Sequence, residues 1–89
     1  MNEKNLTVGM KVSFIESMAP WGIEVLEGHI LHVNELIGLV VIETRYGVRK
    51  NLHCIDVFSD KVSALRTVCQ RVKQICERIE QELYKEVAV

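Results

Sequence analysis

The hydrophobic positions of this chain follow two periods. Between Met10 and Phe58 they alternate or run in short blocks, whereas beyond Ser59 they recur every three or four residues. Met10, Val12 and Phe14 alternate with Lys11 and Ser13, which predicts a strand with one wet face. Met18 to Gly22, with Ala19, Pro20 and Trp21 between them, reads as a loop. A second strand is expected from Ile23 to Val33, where the interior Gly28 marks a bulge or a sharp bend. Asn34 to Gly38 reads as a turn, Leu39 to Thr44 as a third strand and Arg45-Tyr46-Gly47 as a tight turn. Val48 to Leu52 is a fourth strand, and His53 to Phe58 a short turn or strand. In the third strand Leu39 and Val41 point one way, Val40 and Ile42 the other. Both faces are apolar, so both need cover. A barrel core covers one, and the segment Ser59–Val89 is the expected cover for the other.

That segment contains neither Gly nor Pro. Val62, Leu65, Cys69, Val72, Cys76, Ile79 and Leu83 fall at alternating spacings of three and four, a heptad seam on one long helix. Ser59 or Asp60 would cap its start. Val68 and Ile75 widen the apolar stripe beyond a strict two-stranded seam, which suits a helix touching two neighbours. Residues 60–86 as a helix would span ~40 Å, whereas a compact unit of about 50 residues is ~25 Å across. The helix should overhang its own barrel, and its apolar overhang predicts a homo-oligomer. The expected architecture is α+β: a small SH3-like β-barrel of four to five antiparallel strands over residues 7–58, followed by one long C-terminal helix over 59–89 for oligomerisation.

Composition narrows the function classes. The chain has 89 residues, 48% of them hydrophobic and 26% charged, as in a folded globular protein. Its longest uninterrupted apolar run, Leu39 to Ile42, is far short of the ~20 residues that span a bilayer, so no membrane association is expected. The polar start, Met1 to Gly9, lacks a signal-peptide core, and the expected compartment is the cytoplasm. Net charge is -1, with no clear basic excess before or after residue 59, which argues against simple electrostatic binding of nucleic acid. The three cysteines form no C-x-x-C pair. Cys69 and Cys76, ~10 Å apart along a helix, cannot bridge within it. They read as small buried hydrophobes, or as a Cys69–Cys69 or Cys76–Cys76 bridge across a parallel two-fold seam.

Val8-Gly9-Met10-Lys11-Val12 at the barrel entry, Leu26-Glu27-Gly28-His29-Ile30-Leu31-His32-Val33 with its central Gly-x-Ile pattern, and Leu39-Val40-Val41-Ile42 after it carry a resemblance. Over residues 8–58 the chain resembles KOW-type SH3-like barrels, found in ribosomal and transcription-elongation proteins and in short bacterial proteins. The resemblance implies nucleic-acid or protein binding without catalysis. Glu24, Glu27 and Glu35 stand where basic residues usually surround that motif.

Few residues suggest chemistry. His29 and His32 fall on opposite faces of a strand, His53 and Cys54 are adjacent, and no zinc-ligand spacing occurs, so no metal and no cofactor are expected. There is no nucleophile elbow and no phosphate-cradling glycine loop, so no enzyme is expected. Two ligand-binding candidates stand out. Arg45, Tyr46, Arg49 and Lys50 bring three cations and one aromatic ring into six residues, able to clamp a phosphate and stack a base, or else forming a solvated hairpin. Trp21, in an apolar loop, is either a contact surface or a lid over the barrel mouth. Together these point to a non-enzymatic binding or adaptor protein that assembles through its helix and presents barrel loops. The alternatives are a KOW-like RNA- or ribosome-associated module, and a virus-encoded sponge holding a nucleotide signal in pockets between subunits.

Overall fold

The computed structural model describes residues 5–18 and 22–88. The chain forms β1 (Lys11–Met18), β2 (Gly22–Asn34), β3 (Leu39–Thr44), β4 (Arg49–His53), a 3-10 turn (Cys54–Asp56), β5 (Val57–Phe58) and α1 (Lys61–Val87). All strand pairs are antiparallel, in the order β4-β3-β2-β1-β5, and the sheet curls into a half-barrel. This is the expected α+β arrangement of a small barrel followed by one long helix. The loop expected at 18–22, including Trp21, falls largely on residues outside those described. No helix among the described residues is long and apolar enough to cross a membrane.

Strand phase sorts the apolar residues onto two faces. Val12 and Phe14 of β1, Ile30 of β2, Val40 and Ile42 of β3, Val57 of β5 and Leu6 line the inside of the curl, fully buried or nearly so. Met10, Leu26, Val33, Leu52 and Cys54 pack around them. Gly28 lies within this core at a close strand approach. A methyl group there would sit 2.5 Å from Ile42 Cγ2 and 2.8 Å from the Glu43 carbonyl oxygen, so β2 and β3 can come together only over a residue without a side chain. The bulge expected at Gly28 lies slightly farther on. Register passes from Ile30 opposite Ile42 to His32 opposite Val41, which leaves Leu31 unpaired.

The opposite face of β1 is mostly polar, with Lys11, Ser13 and Ser17, but it carries Ile15, and the helix docks there. Ile15 and Phe58 are buried with Ala64 of α1, and Ile23, Val25 and Val68 pack beside them. Ala64 is wholly buried and small enough to let the helix backbone approach the sheet. The outer face of β3 is not what the helix covers, contrary to expectation: α1 packs on β1, β2 and β5, and Leu39 remains 38% exposed. The reason is topological. The helix leaves from β5, which pairs with β1 on the far side of the sheet from β3, and only Ser59 and Asp60 separate strand from helix.

Asp60 is the cap. Its Oδ1 accepts the Ser63 backbone N–H at 2.7 Å, and its Oδ2 accepts the Ser63 hydroxyl at 2.9 Å. The bond from the Ser63 backbone, then that from its hydroxyl, holds the Asp60 pKa below the ordinary 3.8. A lowered folded-state pKa means that the cap contributes fully above 3.8 and fades as pH falls through the lower folded value. Amide exchange at Ser63 should therefore accelerate relative to mid-helix amides as the pH is taken below 3.8. Asp60→Asn, which keeps an acceptor, should remove that pH dependence while retaining the cap.

Candidate functional site

Two surfaces carry the side chains singled out above. The first is the exposed flank of α1. Ala64 and Val68 face the barrel, and Arg71 closes that contact by donating to Asp56 Oδ1 at 2.5 Å and to the Ile55 carbonyl oxygen at 3.1 Å. From Val72 to Ala88 every residue is exposed. The molecule is accordingly elongated, measuring 55 × 29 × 22 Å. At ~100° per residue, the face carrying Ala64, Val68 and Arg71 and the seam from Val62 to Leu83 lie about 100° apart around the helix. Docking onto the barrel thus leaves the seam open. Val62, Leu65, Val72, Ile79 and Leu83 all remain substantially exposed, as do Cys69 and Cys76. Within one chain the two helix cysteines are therefore not the buried hydrophobes that the heptad reading expects. None of the three cysteines is joined in a disulfide. Beside the barrel, Val62, Leu65, Arg66, Cys69 and Gln70 outline a shallow depression of ≈ 420 Å³.

The second surface is a cleft of ≈ 620 Å³ at the open end of the half-barrel. The β3–β4 hairpin forms one wall. Thr44 N–H donates to the Val48 carbonyl oxygen at 2.9 Å, Gly47 N–H to that of Thr44 at 2.9 Å, and Gly47 holds the left-handed conformation at φ 77° that closes a three-residue loop. This loop projects Arg45 and Tyr46. The Arg45 guanidinium lies 4.8 Å from the Tyr46 ring centroid and its Nη2 donates to the Tyr46 hydroxyl at 2.6 Å. Glu16 from β1, Val25, Leu26 and Glu27 from β2 and Lys61 from the first turn of α1 complete the lining.

The four hairpin residues do not act together. Arg45, Tyr46 and Lys50 line the cleft, but Arg49 does not. Arg49 pairs in register with Glu43 and Lys50 with the buried Ile42, so adjacent side chains on β4 leave on opposite faces. Lys50 is itself engaged, in a half-buried ion pair with Glu16. Glu27 is paired with Lys11 at 3.5 Å. Among the described residues, Arg45 and Lys61 are the cleft cations without a carboxylate within 4 Å.

Glu16 and Lys61 had no motif to announce them. Strand phase was the available signal for Glu16: it follows Phe14 by two residues and so points inward, as Lys50 does beside Leu52. Two opposite charges on the inward phase of different strands need each other. Lys61 enters only because the helix starts beside the hairpin. No group of three or more His, Cys, Asp or Glu among the described residues is placed to hold a metal ion. No family model, curated protein or solved structure matches the chain.

Proposed function

We propose that this is a non-enzymatic, cytoplasmic binding or adaptor protein that homo-oligomerises through α1 and holds its barrels out for a ligand or protein partner. The observation that carries the reading is the seam from Val62 to Leu83. It keeps a three-and-four spacing over three heptads, yet it is exposed where α1 touches the barrel and where α1 projects beyond it. A single chain has no use for apolar side chains at that spacing on its wet face, whereas a second helix would bury them continuously. The clamp of Arg71 on Asp56 supports the same reading, because it sets the direction in which the projecting half leaves the barrel.

A second reading follows from the cleft. Arg45 and Lys61 flank it without carboxylate partners, and Tyr46, 77% exposed, lies beside them under the Arg45 guanidinium. A small anionic ligand with a planar group, such as a nucleotide, fits this chemistry. Native mass spectrometry of the purified protein reports on both readings. The expected result is a multiple of the 10.2 kDa chain, with a bound anionic small molecule if the cleft is occupied. A mass of 10.2 kDa across all concentrations would overturn the adaptor reading.

A further inference from the structure

The oligomer of the preceding section leaves helix direction open, and the residues beside the seam decide it. With Val62 at the first heptad position, a, Cys69, Cys76 and Leu83 are also a, and Leu65, Val72 and Ile79 are d. The flanking e positions are Arg66, Lys73 and Glu80, and the g positions are Val68, Ile75 and Glu82. We infer that α1 pairs with α1 of a second copy in antiparallel orientation, centred near residue 74, so that Arg66 of each chain meets Glu80 of the other and Cys69 faces Ile79. This inference rests on the oligomer reading and adds to it the geometry of the partner.

Three observations favour this pairing. The first is charge. In a parallel pair, g of one helix faces e of the next heptad on the other, which sets Val68 against Lys73 and Ile75 against Glu80 and matches no opposite charges. In an antiparallel pair e faces e, and a centre near residue 74 gives two Arg66–Glu80 contacts for one Lys73–Lys73 contact. Shifting the antiparallel register by one heptad in one direction sets Arg66 against Lys73 twice. Shifting it in the other sets Lys73 against Glu80 twice but leaves Leu65 without a facing core residue and Cys69 opposite Glu86. The register centred near residue 74 is therefore the one that joins opposite charges and keeps the whole seam from Leu65 to Leu83 in contact. None of the ion pairs within the described chain uses Arg66, Lys73 or Glu80, so all three are available.

Core volume is the second. A parallel pair stacks Cys69 on Cys69 and Cys76 on Cys76, two thin layers with only the Val72 layer between them. The antiparallel pair puts each cysteine against a β-branched residue, Cys69 on Ile79 and Cys76 on Val72, and sets Leu65 on Leu83. The third is access. Val68, at g, is packed against the chain's own barrel. Over the docked part of α1 the e flank is the one facing away from the barrel, and that is the flank an antiparallel pair uses for its charges.

Disulfide trapping separates the outcomes. In a Cys54→Ser, Cys76→Ser background that keeps Cys69, Ile79→Cys is added and the protein is oxidised with copper–phenanthroline. Facing Cα atoms in a helix-pair layer come within the ~7 Å that a disulfide tolerates. The expected result is a covalent dimer joined Cys69 to residue 79, identified by peptide mass spectrometry. The protein with Cys69 alone should give no covalent dimer, because the two Cys69 residues lie ~15 Å apart along the axis. As a second readout, Arg66→Glu should weaken the dimer and adding Glu80→Arg should restore it, a rescue that a parallel pair does not allow. Light scattering on the same proteins before oxidation keeps the two readings apart. A mass of 10.2 kDa sinks the oligomer itself. A dimer that links Cys69 to Cys69, a dimer that links neither pair, or a mass above two chains overturns the antiparallel pairing and leaves the oligomer standing.

Discussion

Replacing Leu65, Val72 and Ile79 together by Gln should convert the protein to a 10.2 kDa species in light scattering. The three side chains are 45%, 43% and 60% exposed in the single chain, so the change removes little that the barrel depends on. What it removes is intermolecular burial. Each half-exposed side chain that a partner covers is worth about 1 kcal/mol. Three in each of two copies give about 6 kcal/mol, or roughly four powers of ten in dissociation constant. The far-ultraviolet helix signal should fall as well. Once the partner is gone, residues 72–87 form a projecting helix with no tertiary support, and isolated helices of about this length are marginal in water. The strands should persist, because the buried cluster of Phe14, Ile30, Val40, Ile42 and Val57 contains none of the three positions. An unchanged mass would show that the seam is not the interface. Loss of the sheet along with the oligomer would show that the substitutions act on the barrel.

The sequence made the elements legible where one local rule governs them. The alternation at Val12 and Phe14, the turn at Arg45–Gly47 and the helical spacing beyond Ser59 each depend on near neighbours, and the strand, the turn and the helix they predict each appear in the fold. Of the two expected caps, Asp60 is the one used. Relations between distant segments were less readable. The third strand did signal two apolar faces, but which face the helix covers depends on β5 pairing with β1, and a two-residue strand, Val57–Phe58, is too short to announce its partner. The cluster Arg45, Tyr46, Arg49 and Lys50 looked continuous because its members are adjacent in the chain. Strand phase divides it, sending Lys50 inward to Glu16 and leaving Arg49 on the other face. That division follows from a period of two and was available from the start. The presence of Lys61 at the cleft was not, because it depends on where the helix begins in space.

The helix and the barrel constrain one another through few residues. Ala64 and Val68 supply the apolar contact and Arg71 the polar one, all within the first three turns of a 27-residue helix. With so short a contact, the rest of the surface is left for partners. The seam lies about 100° away from it around the helix, and the cleft opens beside the first turn of α1, where Lys61 sits. A partner helix on the seam and a ligand in the cleft would both be felt at the start of α1.

Phe14→Ala should have the largest effect on folding of any single truncation in the chain. Phe14 is wholly buried on the inward phase of β1, paired in register with Leu26 on one side and Val57 on the other. It thus joins β1 to both of its neighbours in the sheet. Truncating a buried Phe to Ala costs about 3–5 kcal/mol. At roughly 0.05–0.15 kcal/mol per residue, about 50 barrel residues hold only about 3–8 kcal/mol, so the change should consume most of the stability of the barrel. Urea unfolding measures it, at one fixed protein concentration because assembly would make the midpoint concentration-dependent. The matched control is Ile55→Ala, also apolar but 55% exposed in the turn before β5, where a shift within about 0.5 kcal/mol is expected. If the two midpoints moved equally, the curled sheet would not be closed around Phe14. If Phe14→Ala unfolded the strands while the oligomer survived, the helices would hold together without their barrels, and the seam would be an assembly unit independent of the fold it carries.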